Sequence, residues 1–277
     1  MKKTINIVLF LLAVFCLQSV FVSQAQSVPF SDPNKTKIFI TVTTSDIYQI
    51  VKEIGGSKVN VQMIIQPLGC PSNYDITPKV VQRAENSNLV LSHKWETWIG
   101  RLKVQAGERG VLYKQAQTEG NWMIPYIHIR AAEEIKDMLI YIDIENKKYY
   151  TDNFNAYVFS INFASDEIRR QLEGAYGKKV IANEKIKDFL EWLGFDVIAT
   201  YGKPEDLTAK KLAHLINEGK KRGVRMVVDN LQAGISTGKE LAENIKAAHC
   251  VISNFPIGDS YINTLKDNGK KLLKAMQ

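Results

Sequence analysis

Short apolar runs rich in β-branched residues alternate with segments of helical periodicity along this chain. Three such runs, at 37–42, 59–65 and 89–92, are each followed by a helical stripe. After the first run, Thr-Thr-Ser-Asp at 43–46 provides the helix caps. The alternation restarts after residue 178, with runs at 179–182, 195–200, 225–228 and 250–253. This order of elements favours parallel sheets with helical crossovers. The fold class predicted is therefore α/β.

The segment between the two sets of runs is helical in its periodicity. Ile135, Met138, Leu139 and Ile142 form one apolar stripe, and a second continues to Ile168. The pattern fits one long helix or two stacked helices. We predict two Rossmann-like α/β lobes, at residues 26–126 and 177–277, on either side of a helical linker at 127–176.

The first 25 residues are typical of a secretory signal peptide. Lys2 and Lys3 precede an apolar run at 5–22, and Ser-Gln-Ala at 23–25 provides the small residues of a cleavage site. The alternative is an uncleaved membrane anchor, since the run is nearly long enough to span a bilayer. We predict cleavage near Ala25 and a periplasmic or other extracytoplasmic location. Such a compartment lacks ATP and nicotinamide pools, which weighs against kinases and dehydrogenases.

The net charge of +7, from 36 Lys and Arg and 29 Asp and Glu, is spread along the chain. Its densest cluster, at 220–222, falls at a predicted helix end, where cations complement the helix dipole. Aromatic residues are not interleaved with it, so a nucleic-acid partner is not expected. Three cysteines are too few for a disulfide scaffold.

Polar residues follow several of the predicted strands. These are His93, the pairs Asn183-Glu184 and Asp229-Asn230, and Asn254. Ligands of open parallel sheets bind beyond the carboxyl ends of the strands, so these side chains would meet in one cleft if the lobes face each other. The simpler alternative is that Asn and Asp cap turns and helices at these positions.

Cys70 and His93 are the candidate soft-metal ligands. Cys70 lies in a loop between Gly69 and Pro71, and thiolate with imidazole is a suitable pair for a transition metal. His93 could instead pack beside Trp95, which is predicted to lie on the helix after the third strand. His128 is expected to be a helix cap or surface residue. Cys70 and His93 could also form the nucleophilic pair of an enzyme, but the sequence supplies neither oxyanion donors for it nor a known catalytic motif.

Three segments of the first predicted lobe carry a resemblance to a known family. Residues 41–48 and 54–59 resemble the opening of the zinc- and manganese-type substrate-binding proteins of bacterial ABC importers. In the next loop the family has the motif Pro-His-x-Tyr-x-x-Thr-Pro. Residues 71–78 of this chain read Pro-Ser-Asn-Tyr-Asp-Ile-Thr-Pro. The resemblance implies two α/β lobes joined by one long rigid helix, with the solute between them.

The chain departs from this family at the metal ligands. The family's histidines fall on Ser72, near Trp122-Met123 and on Asn183, and its acidic ligand falls on Asn254. A tri-histidine zinc site of the family's geometry therefore cannot form, because neutral Asn and Ser leave a bare divalent ion undercompensated in charge.

Three alternatives follow from these departures. The protein could bind a metal through a shifted set of ligands, which would be Cys70, His93, Glu184 and Asp229. It could bind a metal chelate or a small polar organic solute through neutral groups, for which the candidates are Tyr74, Trp122, Asn183, Asn230 and Asn254. Asn73, beside Tyr74, is a further candidate for ligand binding. It could also have lost solute binding and act as an adhesin or scaffold.

We predict a non-enzymatic, extracytoplasmic solute-binding component of an ABC importer. Its cargo would be a transition metal ion or a metal-related solute, and its partner a membrane permease. It would act as a monomer and have no other cofactor. The alternatives are a binder of small polar organic solutes or, failing that, a Cys/His enzyme.

Overall fold

The computed structural model describes residues 37–277 except positions 70, 72, 73, 108, 109 and 259. The predicted signal peptide and the residues that follow it, up to position 36, lie outside the described residues. Two four-stranded parallel sheets organise the described part, and helices cover both of them. The α/β class with two lobes is confirmed.

The first lobe holds the sheet with strand order β2-β1-β3-β4. Its elements, in chain order, are β1 (Ile38–Val42), α1 (Ser45–Gly55), β2 (Val59–Met63), α2 (Pro78–Glu85), β3 (Leu89–His93), α3 (Ile99–Ala106) and β4 (Leu112–Ala116). The order places β1 and β3 side by side at the centre, paired from Ile40 opposite Leu89 to Val42 opposite Leu91.

The second lobe repeats this plan with the strand order β6-β5-β7-β8. Its elements are β5 (Lys179–Asn183), α6 (Lys187–Trp192), β6 (Asp196–Tyr201), α7 (Ala209–Arg222), β7 (Met226–Asn230), α8 (Ser236–Ile245), β8 (Ala248–Ile252) and α9 (Tyr261–Ala275). Here β5 and β7 are the central neighbours.

The central strands have continuous apolar runs because helices cover both faces of each sheet. All five residues of β3 are buried, and so are all five of β7. These runs are the pattern from which the sequence predicted strands. The polar exceptions, His93 and the Asp229-Asn230 pair, fall at the carboxyl ends of these two strands.

The linker consists of two helices, α4 (Pro125–Ile142) and α5 (Lys147–Gln171), separated by a 3₁₀ turn at Ile144–Asn146. Helix α5 packs against α4, against α1 of the first lobe and against α9 of the second. Tyr150, Tyr157 and Ile161 of α5 are buried in one apolar core that extends into both lobes. A helix bound along its length in this way has no loop hinge between the lobes.

Two sequence expectations differ from the structure. Strand β4 was not predicted, since Leu112–Ala116 is a half-buried edge strand without an apolar run. Trp95 was expected on a helix but lies in a turn, and α3 begins only at Ile99. Among the described helices, none is both long and apolar enough to cross a bilayer.

Candidate functional site

The strand orders create two topological switch points, one in each lobe. In the first lobe the chain leaves β1 and β3 in opposite directions, and Asp46 and His93 lie at their carboxyl ends. In the second lobe Asn183 and Asn230 end β5 and β7. Crevices at such points are where open α/β sheets bind ligands.

A cleft of about 520 Å³ joins the two switch points. Residues of both lobes and of the segment before α4 line it. They include Asp46, Pro71, His93, Trp95, Gly120, Asn121, Trp122, Asn183, Glu184, Lys185, Asp188, Lys203, Glu205, Asn230, Gln232, Asn254 and Phe255. The volume lies within the range of small-molecule sites in proteins.

Asp46 and His93 form a buried ion pair in the wall of this cleft. The His93 Nε2 atom lies 3.2 Å from each carboxylate oxygen of Asp46. The Thr44 hydroxyl and the Ile47 amide also donate to Asp46. Both pair members are about 3% exposed, so almost all of their partners are protein groups.

The two pKa values of this pair move apart. Burial alone would raise the pKa of Asp46, but the charge of His93 and hydrogen bonds from His93 and Thr44 hold it below its usual value. Burial alone would lower the pKa of His93, but the charge and hydrogen bond of Asp46 raise it. Both shifts favour the charged pair.

Two indole rings enclose the His93 imidazole. Trp95 stacks on it at a centroid distance of 4.9 Å, and Trp122 meets it edge-on at 4.3 Å. The Trp122 Nε1 atom donates to the Thr118 carbonyl at 3.1 Å, which fixes the indole. Trp95 is 48% exposed, so this wall presents an aromatic face to a bound solute.

Glu96 lies behind the pair and is also buried. Its Oε2 atom accepts hydrogen bonds from the Thr43 hydroxyl at 2.6 Å and the His93 amide at 2.7 Å. Its Oε1 atom has no hydrogen-bond partner among the described residues. Burial raises the pKa of Glu96 to about 7, although the charge of His93 and these hydrogen bonds oppose the increase.

Amide side chains bridge the lobes at the rim of the cleft. The Asn121 Nδ2 atom donates to Asn254 Oδ1 and to the Lys185 carbonyl, each at 2.8 Å. The Gln232 Nε2 atom donates across the cleft to the Pro67 carbonyl at 3.1 Å. Two independent contacts therefore hold the first lobe and its adjoining segment against the second lobe.

Two further amides reach the cleft from the second sheet. Asn183 and Asn230 are only 2% and 3% exposed. The Asn183 Oδ1 atom accepts from the Lys185 amide at 3.1 Å, and Asn230 Oδ1 accepts from the Gln232 amide at 3.3 Å. Among the described residues nothing accepts a hydrogen bond from Asn230 Nδ2, which leaves that group for a ligand.

Most of the residues predicted to bind the solute do line the cleft. These are His93, Trp122, Asn183, Glu184, Asn230 and Asn254. Cys70 and Asn73 lie outside the described residues, although the neighbouring Pro71 lines the cleft. Whether any of these side chains contacts the solute remains a prediction.

Tyr74 and Asp229 are not among the cleft residues. Tyr74 packs against Trp98, with ring centroids 5.1 Å apart, at the edge of a separate apolar cluster. Asp229 is fully buried, accepts a hydrogen bond from the Tyr201 hydroxyl and pairs with His249 Nε2 at 2.7 Å. The prediction that Asp229 lies at the carboxyl end of a strand is correct, but its side chain points into the lobe and not into the cleft.

The shifted metal set is not assembled in the described residues. No group of three or more His, Cys, Asp or Glu side chains within the described ranges lies close enough to hold a metal ion. His93 is paired with Asp46, Asp229 is buried elsewhere, and Glu184 pairs with Lys185 at 3.2 Å. The three predicted ligands that are described therefore do not form one metal site.

His128 was expected at a helix cap or surface, and that expectation is wrong. It is fully buried. Its Nδ1 atom lies 3.1 Å from the Trp122 carbonyl, its Nε2 atom lies 2.9 Å from the Tyr157 hydroxyl, and its ring stacks on Tyr261. Burial lowers the pKa of His128 to about 4, so it is a neutral residue that holds the Trp122 segment in place.

Sequence reasoning missed several cleft residues. Asp46 was interpreted only as a helix cap, yet it follows β1, so the strand-end rule applied to the first strand would have found it. Asn121 follows β4, a strand that was not predicted. Gln232 lies just after the Asp229-Asn230 pair and carried no separate signal.

Two α/β lobes with facing switch points, joined by the packed helices α4 and α5, are the architecture of a substrate-binding protein. A family model described as zinc-uptake complex component A, periplasmic (ZnuA), matches residues 40–275. The chain belongs to this family. The family is one of transport proteins rather than enzymes.

Curated relatives agree with this assignment. The chain is similar to the high-affinity zinc uptake system protein ZnuA of Bacillus subtilis, with 20% identity over 86% of this chain and 87% of the relative. It is 26% identical to the manganese ABC transporter substrate-binding lipoprotein ScaA of Streptococcus gordonii. That alignment covers 62% of each protein.

Solved structures share the fold. A zinc-bound ZnuA deletion mutant superposes with a TM-score of 0.76 and 19% identity, over 87% of this chain and 98% of that one. The laminin-binding protein Lmb of Streptococcus agalactiae gives a TM-score of 0.75 at 17% identity, over 87% and 100% of the two chains.

Proposed function

We propose that this chain captures a metal ion or a metal-containing solute in the cleft and delivers it to the membrane permease of an ABC importer. The observation that supports this most is the cleft itself, which both lobes line at their switch points. The relatives named above are zinc and manganese proteins of such importers.

The side chains proposed to contact the solute are those that the structure places in the cleft. They are His93, Trp122, Asn183, Glu184, Asn230 and Asn254. Cys70 and Asn73 are retained as candidates because they lie within two residues of Pro71, a cleft residue. Asp229 and Tyr74 are no longer candidates, since each is engaged elsewhere.

The organisation of the rest of the chain follows from the same proposal. A signal peptide would be removed near Ala25, and the lobes would be the segments 26–126 and 177–277. The mature protein would act as an extracytoplasmic monomer, because a single chain contributes both walls of the cleft.

Elemental analysis tests the proposal. The mature chain, purified without chelators from its own extracytoplasmic compartment, should carry about one transition-metal atom per molecule. Replacing His93 by Ala should lower that content, whereas Asn244→Ala, on the exposed side of α8, should not. A protein free of metal in all preparations would contradict the proposal and favour an organic solute. Stoichiometric metal in both His93→Ala and Cys70→Ser would contradict the assigned residues.

A further inference from the structure

A bare zinc or manganese ion does not fit the described part of the cleft. Zinc sites use four ligands, mostly Cys, His and carboxylate side chains. Within the described part of the chain no three such side chains converge. Asp46 accepts hydrogen bonds from Thr44, Ile47 and His93, so its oxygens are already engaged.

The cleft instead presents groups that recognise an organic molecule. Asn183 and Asn230 are almost fully buried and still line the cleft, and Asn254 lines it from the loop after β8. The Asn230 Nδ2 donor has no acceptor among the described residues. An amide offers both a donor and an acceptor, which matches the carboxylate and amino groups of an amino-acid ligand.

The opposite wall is aromatic. The rings of Trp95 and Trp122 enclose His93, and Trp95 is half-exposed toward solvent. Such a face stacks on a planar heterocycle or a chelate ring. A hydrated or bare ion would use neither this face nor most of the 520 Å³ of the cleft.

The charges of the lining residues limit the charge of the solute. The carboxylates of Asp46, Glu184, Asp188 and Glu205 stand against the imidazolium of His93 and the ammonium groups of Lys185 and Lys203, which leaves an excess of one negative charge. A field of this sign disfavours an anionic complex. It accepts a neutral or cationic one.

We propose that the metal enters this cleft already complexed by a small amino-carboxylate ligand. Asn183, Asn230 and Asn254 would recognise the complex by hydrogen bonds, and the Trp95 ring would stack on it. This inference rests on the proposed function and specifies its cargo. The protein would recognise the organic part of the complex and would not itself supply the full coordination sphere of the metal.

Calorimetric titration in a non-coordinating buffer tests the inference with four probes. They are zinc chloride, the neutral zinc–bis-histidine complex, an anionic zinc–citrate complex and histidine alone. We expect the bis-histidine complex to bind about 100-fold more tightly than zinc ion. This difference in affinity corresponds to about two hydrogen bonds of ordinary strength that the complex makes and the ion does not.

Two variants test the named contacts. Asn254→Ala and Trp95→Ala should each weaken binding of the bis-histidine complex by about tenfold. Both side chains are partly exposed, so their removal does not open the core. Asn244→Ala, an exposed asparagine on α8, is the matched control and should bind as the parent does.

The outcomes separate the inference from the proposed function. Zinc ion binding as tightly as the bis-histidine complex overturns the inference and leaves a metal-capturing protein. Tighter binding of the citrate complex also overturns it. Histidine alone binding as tightly as its zinc complex contradicts a metal cargo, and binding of none of the four probes contradicts both proposals.

Discussion

The His93 Nε2 atom lies 3.2 Å from both carboxylate oxygens of Asp46, across the boundary between β1 and β3. Asp46 is in the first turn of α1, where the positive end of the helix dipole also favours its charge. The pair therefore places an oriented imidazole at the switch point of the first lobe. It also makes the stability of this lobe dependent on pH.

The first prediction concerns His93. Because its pKa is raised on folding, the stabilisation it provides is complete below its unfolded pKa of about 6.5 and is lost as pH rises through the folded pKa. The difference in unfolding free energy between the parent and a His93→Gln variant should therefore fall as the pH is raised from below about 6.5 into the alkaline range. Urea unfolding across this range, in a Glu96→Gln background that removes the neighbouring titration, measures the effect.

His214→Gln is the control for this series, because His214 is exposed on α7. Its unfolding free energy should follow that of the parent at every pH. Curves of constant separation for His93→Gln would show that the ion pair with Asp46 does not form in solution.

The second prediction concerns Glu96. Burial raises its pKa from 4.5 to about 7, so the protonated form is favoured on folding. The folded state should lose stability as pH rises from about 4.5 through 7, by on the order of 3 kcal/mol for a gap of this size. Glu96→Gln should be more stable than the parent above pH 7 and no more stable at pH 4.5.

Chemical denaturation of the two proteins at pH 4.5, 6 and 8 gives this difference. Glu85→Gln, at an exposed residue at the end of α2, is the matched control. A Glu96→Gln variant with the same relative stability at all three values would contradict a raised pKa.

The third prediction concerns the contact between α9 and the segment before α4. The Tyr261 hydroxyl donates to the Met123 carbonyl at 2.9 Å, and both residues are buried. Tyr261→Phe leaves that carbonyl without its partner and should cost about 1–3 kcal/mol of unfolding free energy. Tyr126→Phe, at a ring that is 56% exposed, should change stability by less than about 0.5 kcal/mol. Equal effects of the two changes would contradict the importance of this contact.

The sequence predicted the strands well where they are buried on both faces, because such strands have a continuous apolar run, as β3 and β7 do. It failed at β4, where the half-buried Leu112–Ala116 has no such run. The strand-end rule located His93, Asn183 and Asn230, because the ends of parallel strands share one edge of a sheet. It could not tell that Asp229 faces inward, since that depends on the partners Tyr201 and His249, which are distant in sequence.

The fourth prediction concerns the motion of the two lobes. Helix α5 is packed along its length against α1, α4 and α9, and the Asn121–Asn254 and Gln232–Pro67 contacts already bridge the rim. With no loop hinge to absorb a rotation, ligand binding should change the radius of gyration by less than about 1 Å. Small-angle X-ray scattering of the apo and loaded protein measures this. A contraction of several ångströms in the parent would show that α5 bends.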